Sequence, residues 1–391
     1  MNGSNNRLID TVEEFWISTD WAGAIASASP DLVEQFCHSF VEYLDASDFT
    51  AFPCSTGEEA LYWALRVAFL DTPRRKVLVC GFNCRVVFRA VEAACGEPIK
   101  FDRPDPERYT EVLRDLIVEM QPAVVVVTHF FGAPEDFSEL IEFARSQGVF
   151  LIEDCAHCLG GEIGARMAGT LADASIFSFN YDKPISLLGG GMLLLSVSHA
   201  QQLAAVGYKA GGLHNARQSY ERIAISLMHY WLHWRRNPFG ARGIINRLLM
   251  RFLSKWFIEF NRTVPLGPIR ASLGLSLLRR YRQILDARLK NETNFRLSGV
   301  ARGWQYAPTV KPAWLKQKAG PFDSTVIMEI EKGARDKRIR LGNYNWPDSK
   351  DTDLSSNLEN MNYARYWLDI PIHQNLNASN LQEINRLLHE K

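Results

Sequence analysis

The stretch LIEDCAHCLGGEIGARMAGTLADASIFSFNYDKPISLLGGGMLLL, residues 151–195, decides how this 391-residue chain is read. An apolar run ends on Asp154 and His157, and two further apolar runs, ASIFSF and MLLLSV, bracket Lys183. Ser178 lies in the first of these runs, and Gly189, Gly190 and Gly191 lead into the second. A carboxylate, an imidazole, a hydroxyl and a lysine therefore gather beside permissive backbone.

Upstream, strand and helix signals alternate. Lys76–Cys80, Pro98–Asp102, Ala123–Thr128 and Val149–Glu153 read as short apolar strands, while 86–94, 107–120 and 138–148 carry helical spacing. Strands without polar alternation, separated by helices, indicate an α/β fold whose mostly parallel central sheet is covered by helices on both faces. Ligands collect at the carboxyl ends of such strands, where Asn83, Cys84, His129, Asp154 and His157 stand. Ser55-Thr56-Gly57 opens another helix, whose first N–H groups suit an anion. Before it, Asp31 is placed as the N-cap of a helix over 31–45, and the residues between the two helices read as a connector.

Composition narrows the function classes. Forty-four basic residues balance 44 acidic ones, which argues against a nucleic-acid binder driven by net charge. No run of eighteen apolar residues is present, so a spanning helix is not expected. MNGSNNRLID lacks the pattern of a secretory signal, and seven cysteines form an odd set without secreted-scaffold spacing. These features place the chain in the cytoplasm. Cys155-Ala-His-Cys158 with Cys80 and Cys84 would make a zinc site on paper, but these pairs follow apolar runs rather than paired turns, so no metal is expected.

From Gly207 the composition changes. Residues 228–262 combine aromatics with seven arginines or lysines and one acid, Glu259. This basic, apolar-faced stretch fits a peripheral membrane contact or a packed interface. A helical pattern over 268–290 and a last one over 379–390 belong to the C-terminal part. The expected organisation is a large domain, 1–264, including an insertion at 208–262, and a smaller α+β domain, 265–391.

At these residues the chain resembles the DegT/DnrJ/StrS-type sugar aminotransferases, which are fold-type I enzymes using pyridoxal 5′-phosphate (PLP). Ile152-Glu153-Asp154-Cys155-Ala156-His157, then Phe177-Ser178-Phe179 followed by Lys183, then Gly190-Gly191-Met192, agree with that family in type and spacing. Thr56-Gly57-Glu58-Glu59-Ala60-Leu61 resembles its phosphate turn, with glutamate for threonine at 58. His129 to Pro134, Ile269 to Leu278 and Leu368 to His373 resemble further elements of it.

The resemblance implies a Schiff base on Lys183, which also shuttles a proton, with Asp154 pairing the pyridine nitrogen and His157 beside the ring. It implies a phosphate held by Ser178 with Thr56, Gly57 and Glu58, and Cys84 where an aromatic residue often stacks. It further implies a homodimer that moves an amino group from glutamate or glutamine to a nucleotide-linked keto-sugar in polysaccharide or secondary-metabolite biosynthesis. Thr263-Val264-Pro265-Leu266 departs from the family's arginine-bearing segment, with Asn261-Arg262 just before it. Other PLP chemistry on the same fold, such as a lyase or desulfurase using Cys84, Cys155 or Cys158, and a non-catalytic ligand- or membrane-binding descendant remain as alternatives.

Overall fold

The computed structural model describes residues 23–26, 28–209, 221–227, 263–297, 306–313, 317–319, 329–330, 332, 334, 368–370 and 378–389. The basic-aromatic segment 228–262, with its Arg235 and Arg236, lies outside the described residues, as do Asn261, Arg262 and residues 371–373.

Seven strands form the central sheet: β1 Phe49–Cys54, β2 Lys76–Cys80, β3 Glu97–Phe101, β4 Val124–Thr128, β5 Phe150–Asp154, β8 Ala174–Ser178 and β9 Gly191–Ser196. Their order is β1-β9-β8-β5-β4-β2-β3. β2 pairs in parallel with β3 and β4, and β5 does so with β4 and β8. β9 runs against both β8 and β1. The hairpin β6 Glu162–Ile163 and β7 Arg166–Met167 joins β5 to β8 outside this sheet, with Val310–Lys311 added alongside β6.

The uninterrupted apolar strands follow from burial on both faces. Val124 and Val126 of β4 enter one core and Val125 and Val127 enter the other, so no position on the strand faces water. Helices α1 Leu32–Tyr43, α2 Gly57–Ala68, α3 Arg85–Ala93, α4 Tyr109–Met120 and α5 Ile141–Ser146 surround the sheet. Phe40 of α1 meets Phe177 edge-on with centroids 4.9 Å apart and lies 5.7 Å from Phe179. Full burial of such a side chain contributes about 1.5–3 kcal/mol. A 30-residue helix, α6 Pro268–Leu297, packs on α1, and Gly274 permits it: a Cβ there would lie 2.5 Å from the Phe36 ring.

Two expectations are corrected. Asp31 does not cap α1, because its backbone is helical (φ −69°, ψ −19°) and its carboxylate accepts Gln35 Nε2 at 2.6 Å instead. The supposed connector before Ser55 contains β1, an edge strand whose ladder partner among the described residues is β9. Pro53 disguises it, since proline lacks a ladder donor and is tolerated only at such an edge.

β9 and the turn before α2 meet closely. Gly190 N–H donates to Ser55 O at 2.9 Å, and a Cβ on Gly191 would lie 2.4 Å from the Thr56 carbonyl atoms. Because the obstacle is backbone, Gly191→Ala is expected to cost about 1–3 kcal/mol in urea unfolding. A variant with an unchanged midpoint would show that the turn yields.

Candidate active site

The carboxyl ends of β2, β4, β5 and β8 and the start of α2 enclose one pocket. Gly57, Glu58, Cys84, Asp154, His157, Ser178 and Lys183 all line it, seven of the eight residues expected. The eighth, Thr56, is the N-cap of α2, its hydroxyl accepting Glu59 N–H at 3.0 Å. Glu59 Oε2 in turn accepts Ser55 N–H at 2.6 Å, which fixes the turn from both ends. The first N–H groups of α2 belong to Gly57 and Glu58, both on the pocket wall. A Cβ on Gly57 would come within 2.9 Å of Ser178 Cβ, so the turn and the serine form one cradle.

His157 and Lys183 are brought together from opposite ends of a 26-residue separation. Phe131 N–H donates to His157 Nδ1 at 3.4 Å, and Nε2 lies 2.9 Å from Lys183 Nζ. The two groups share one hydrogen bond, in which a charged Lys183 ammonium is the donor. The amine is the form that attacks a carbonyl. The Phe131 ring backs the imidazole at 6.0 Å and 20°. Its positive φ of 56° makes this tight corner.

Asp154 ends β5 and is buried. Burial raises its carboxyl above the usual range, opposed by the Ala156 N–H bond and by the positive charge of Lys183. A buried acid in this state is matched to a cationic partner. Beneath the site, Glu153 takes His129 Nε2 at 3.0 Å and the N–H groups of Gly169, Leu171 and Ala172 at 2.7–3.0 Å. Glu135 N–H donates to His129 Nδ1, so the imidazole gives its Nε2 proton to Glu153. His129, Glu153 and Cys155 lie within metal-ligand reach of one another, but the lone pairs of that carboxylate are engaged by the chain itself.

Cys155 and Cys158 are buried, which pushes both thiols well up, and burial also raises Cys84. Thiols held protonated are poor nucleophiles, which disfavours persulfide chemistry.

Asn83 and Thr128, whose side chains bond at 2.8 Å, line the pocket beside Cys84 without having been assigned a role from sequence. Asn83 stood at a strand end, but Thr128 reads as one more β-branched core residue. Glu58 is the departure that the cradle must absorb. Arg89 Nη2 meets its carboxylate at 2.8 Å, so the charge at Glu58 is compensated.

The donor set fits PLP. A backbone turn with Gly57 and Ser178 suits the phosphate, the buried Asp154 suits a protonated ring nitrogen, and the Lys183 amine suits the carbonyl carbon.

The profile of the DegT/DnrJ/EryC1/StrS aminotransferase family matches residues 22–228. GDP-perosamine synthase of Escherichia coli O157:H7 is 29% identical over 171 residues, 43% of this chain and 46% of that protein. L-glutamine:scyllo-inosose aminotransferase of Streptomyces griseus is 28% identical over 192 residues, 48% of this chain and 44% of that one. The matches thus span a little under half of these curated relatives. Among solved structures, Helicobacter pylori PseC, an aminotransferase involved in the biosynthesis of pseudoaminic acid, superposes with a TM-score of 0.73 over 98% of this chain and 99% of its own, at 13% identity. At that identity the likeness shows the fold: a fold-type I α/β architecture.

Proposed function

The chain belongs to the DegT/DnrJ/EryC1/StrS aminotransferase family, and from that membership and its donor set we propose that it is a PLP-dependent aminotransferase acting on a keto-sugar. The observation that carries this reading is the 2.9 Å contact between Lys183 Nζ and His157 Nε2 in a pocket that also holds the buried Asp154 and the Gly57–Ser178 cradle.

When bound, PLP supplies a carbonyl that condenses with amines and a ring that draws off the electron pair left when a Cα–H bond breaks. The residues do the rest. Asp154 would pair with the ring nitrogen and favour its protonated form. Ser178 Oγ and the backbone of Gly57 and Glu58 would hold the phosphate. His157, 2.9 Å from Lys183, would orient the amine. Lys183 Nζ would be the group that holds and moves the proton of the donor α-carbon.

Glutamate or glutamine as donor, a nucleotide-linked keto-sugar as acceptor, a homodimer in the cytoplasm, and the division at 264/265 are parts of the same proposal. The named activities of the two relatives support the substrate class: one is a GDP-sugar synthase, the other uses L-glutamine.

The test is borohydride reduction of the PLP-loaded chain followed by peptide mass mapping, together with glutamate titration of its visible absorbance. Pyridoxyl label on Lys183 and bleaching by glutamate or glutamine are expected. Label on another lysine, or no response to any amino donor, would overturn the reading.

A further inference from the structure

Lys183 and His157 stand on different loops, so their contact requires something to hold one loop against the other. The long helix α6 touches both. Arg270 Nη2 donates to Leu188 O at 3.4 Å, and Arg288 Nη2 donates to Pro184 O at 3.3 Å, the residue directly after Lys183. Tyr281 Oη donates to Leu159 O at 3.0 Å, two residues after His157.

The three donors form one stripe. They are spaced 11 and 7 residues apart, and at about 100° per residue each spacing returns to the same helix face within roughly 20°. All three side chains are buried, Arg270 at 0% exposure, Tyr281 at 0% and Arg288 at 1%.

The first turn of α6 is itself anchored. Glu221 accepts the N–H groups of Gly267, Ile269 and Arg270 at 2.9–3.0 Å, and Arg270 Nη1 donates to Val264 O at 3.0 Å. On the loop side the backbone has little freedom. Leu188 has a φ of 57°, and Gly160, next to Leu159, has a φ of 83° with a Cβ position only 2.6 Å from Leu285 Cδ1 of α6. Guanidinium groups are expensive to bury, so two on one helix face, each giving a hydrogen bond to a loop carbonyl, mark a fixed geometry.

We propose that Arg270, Tyr281 and Arg288 are positioning residues: a donor stripe on α6 that sets Lys183 against His157 by fixing the carbonyls of Leu188, Leu159 and Pro184. The inference concerns the chain's own loops. It names a role for residues that do not line the pocket, and its test needs no cofactor.

The experiment uses the full chain and reads the acetylation rate of Lys183 by acetic anhydride, relative to Lys76 in the same molecule, by peptide mass spectrometry. Tyr281→Phe removes one hydroxyl, Arg288→Met removes the charge and its donors, and Arg288→Lys returns a donor. A misplacement of about 1 Å is enough to change the chemistry of a catalytic group many-fold, so Tyr281→Phe and Arg288→Met are expected to change the Lys183 rate at least about threefold. Arg288→Lys is expected to restore most of it, and Arg279→Lys, exposed on the same helix, to change nothing. Hydrogen exchange at 158–160 and 185–188 should rise in the same variants while the sheet amides keep their protection.

A folded Tyr281→Phe protein with the wild-type Lys183 rate would overturn the proposal, as would a folded Arg288→Met protein that keeps that rate, and Tyr281→Phe keeps it testable if Arg288→Met fails to fold. A chain that never takes a pyridoxyl label on Lys183 would overturn the aminotransferase reading instead and leave this result standing.

Discussion

Lys183→Ala is expected to abolish amino transfer, lowering turnover by about 10⁴ or more. The argument is one of inventory. Among the described residues that line the pocket, Lys183 is the one amine, and it is the only lysine between Lys100 and Lys209. His157 does not replace it, because an imidazole has no primary amine to condense with a carbonyl. Arg89, on the cradle side, is paired with Glu58. The loss should fall on turnover, with PLP still bound through Asp154 and the cradle at reduced affinity. Single-turnover absorbance with glutamate reads it directly: the variant should bind the cofactor without borohydride-stable label and give no amine form. A Lys183→Ala protein that still converts the cofactor at more than about a hundredth of the wild-type rate would place the proton transfer on another group.

The outcome of that experiment rests on residues that the sequence displays openly. Asp154, His157, Ser178 and Lys183 sit at strand ends whose apolar runs are visible, and the alternation of runs from Lys76 to Leu195 is enough for the parallel sheet. What stayed hidden had physical causes. β1 was lost because Pro53 suppresses a strand signal that only an edge position makes tolerable. Asp31 has the right residue type for a cap and the wrong backbone, and backbone angles are set by the packing of α1. Thr56 shares the cradle turn, where its hydroxyl accepts Glu59 N–H and keeps its own proton to donate.

The α6 stripe is the clearest case. Arginine at 270 and 288 reads as a solvated helix surface, since isolated charges rarely enter a core. Their burial becomes intelligible only when the loops of His157 and Lys183 supply carbonyls to meet them.

Asp154→Asn is expected to separate the needs of the fold from those of the chemistry. Burial raises the Asp154 carboxyl in the folded chain, with the Ala156 N–H and Lys183 opposing it. A group raised on folding contributes stability that is present below its unfolded pKa and is lost as pH rises through the folded value. In the chain without cofactor, wild type should therefore lose stability from this group as pH climbs from about 4, while asparagine, which does not titrate, should not. Urea midpoints of the two apo proteins should diverge with rising pH in favour of the variant and become parallel once Asp154 is fully ionised. Bound PLP reverses the balance, because a protonated ring nitrogen compensates the buried carboxylate and its own proton is held in return. Losing that fixed charge should reduce turnover by roughly 10²–10³ and weaken cofactor binding, with the deficit largest above neutral pH, where the free ring nitrogen is least protonated. Apo stability that is lower than wild type at every pH, or turnover that is unchanged, would mean that this carboxylate serves the fold rather than the cofactor.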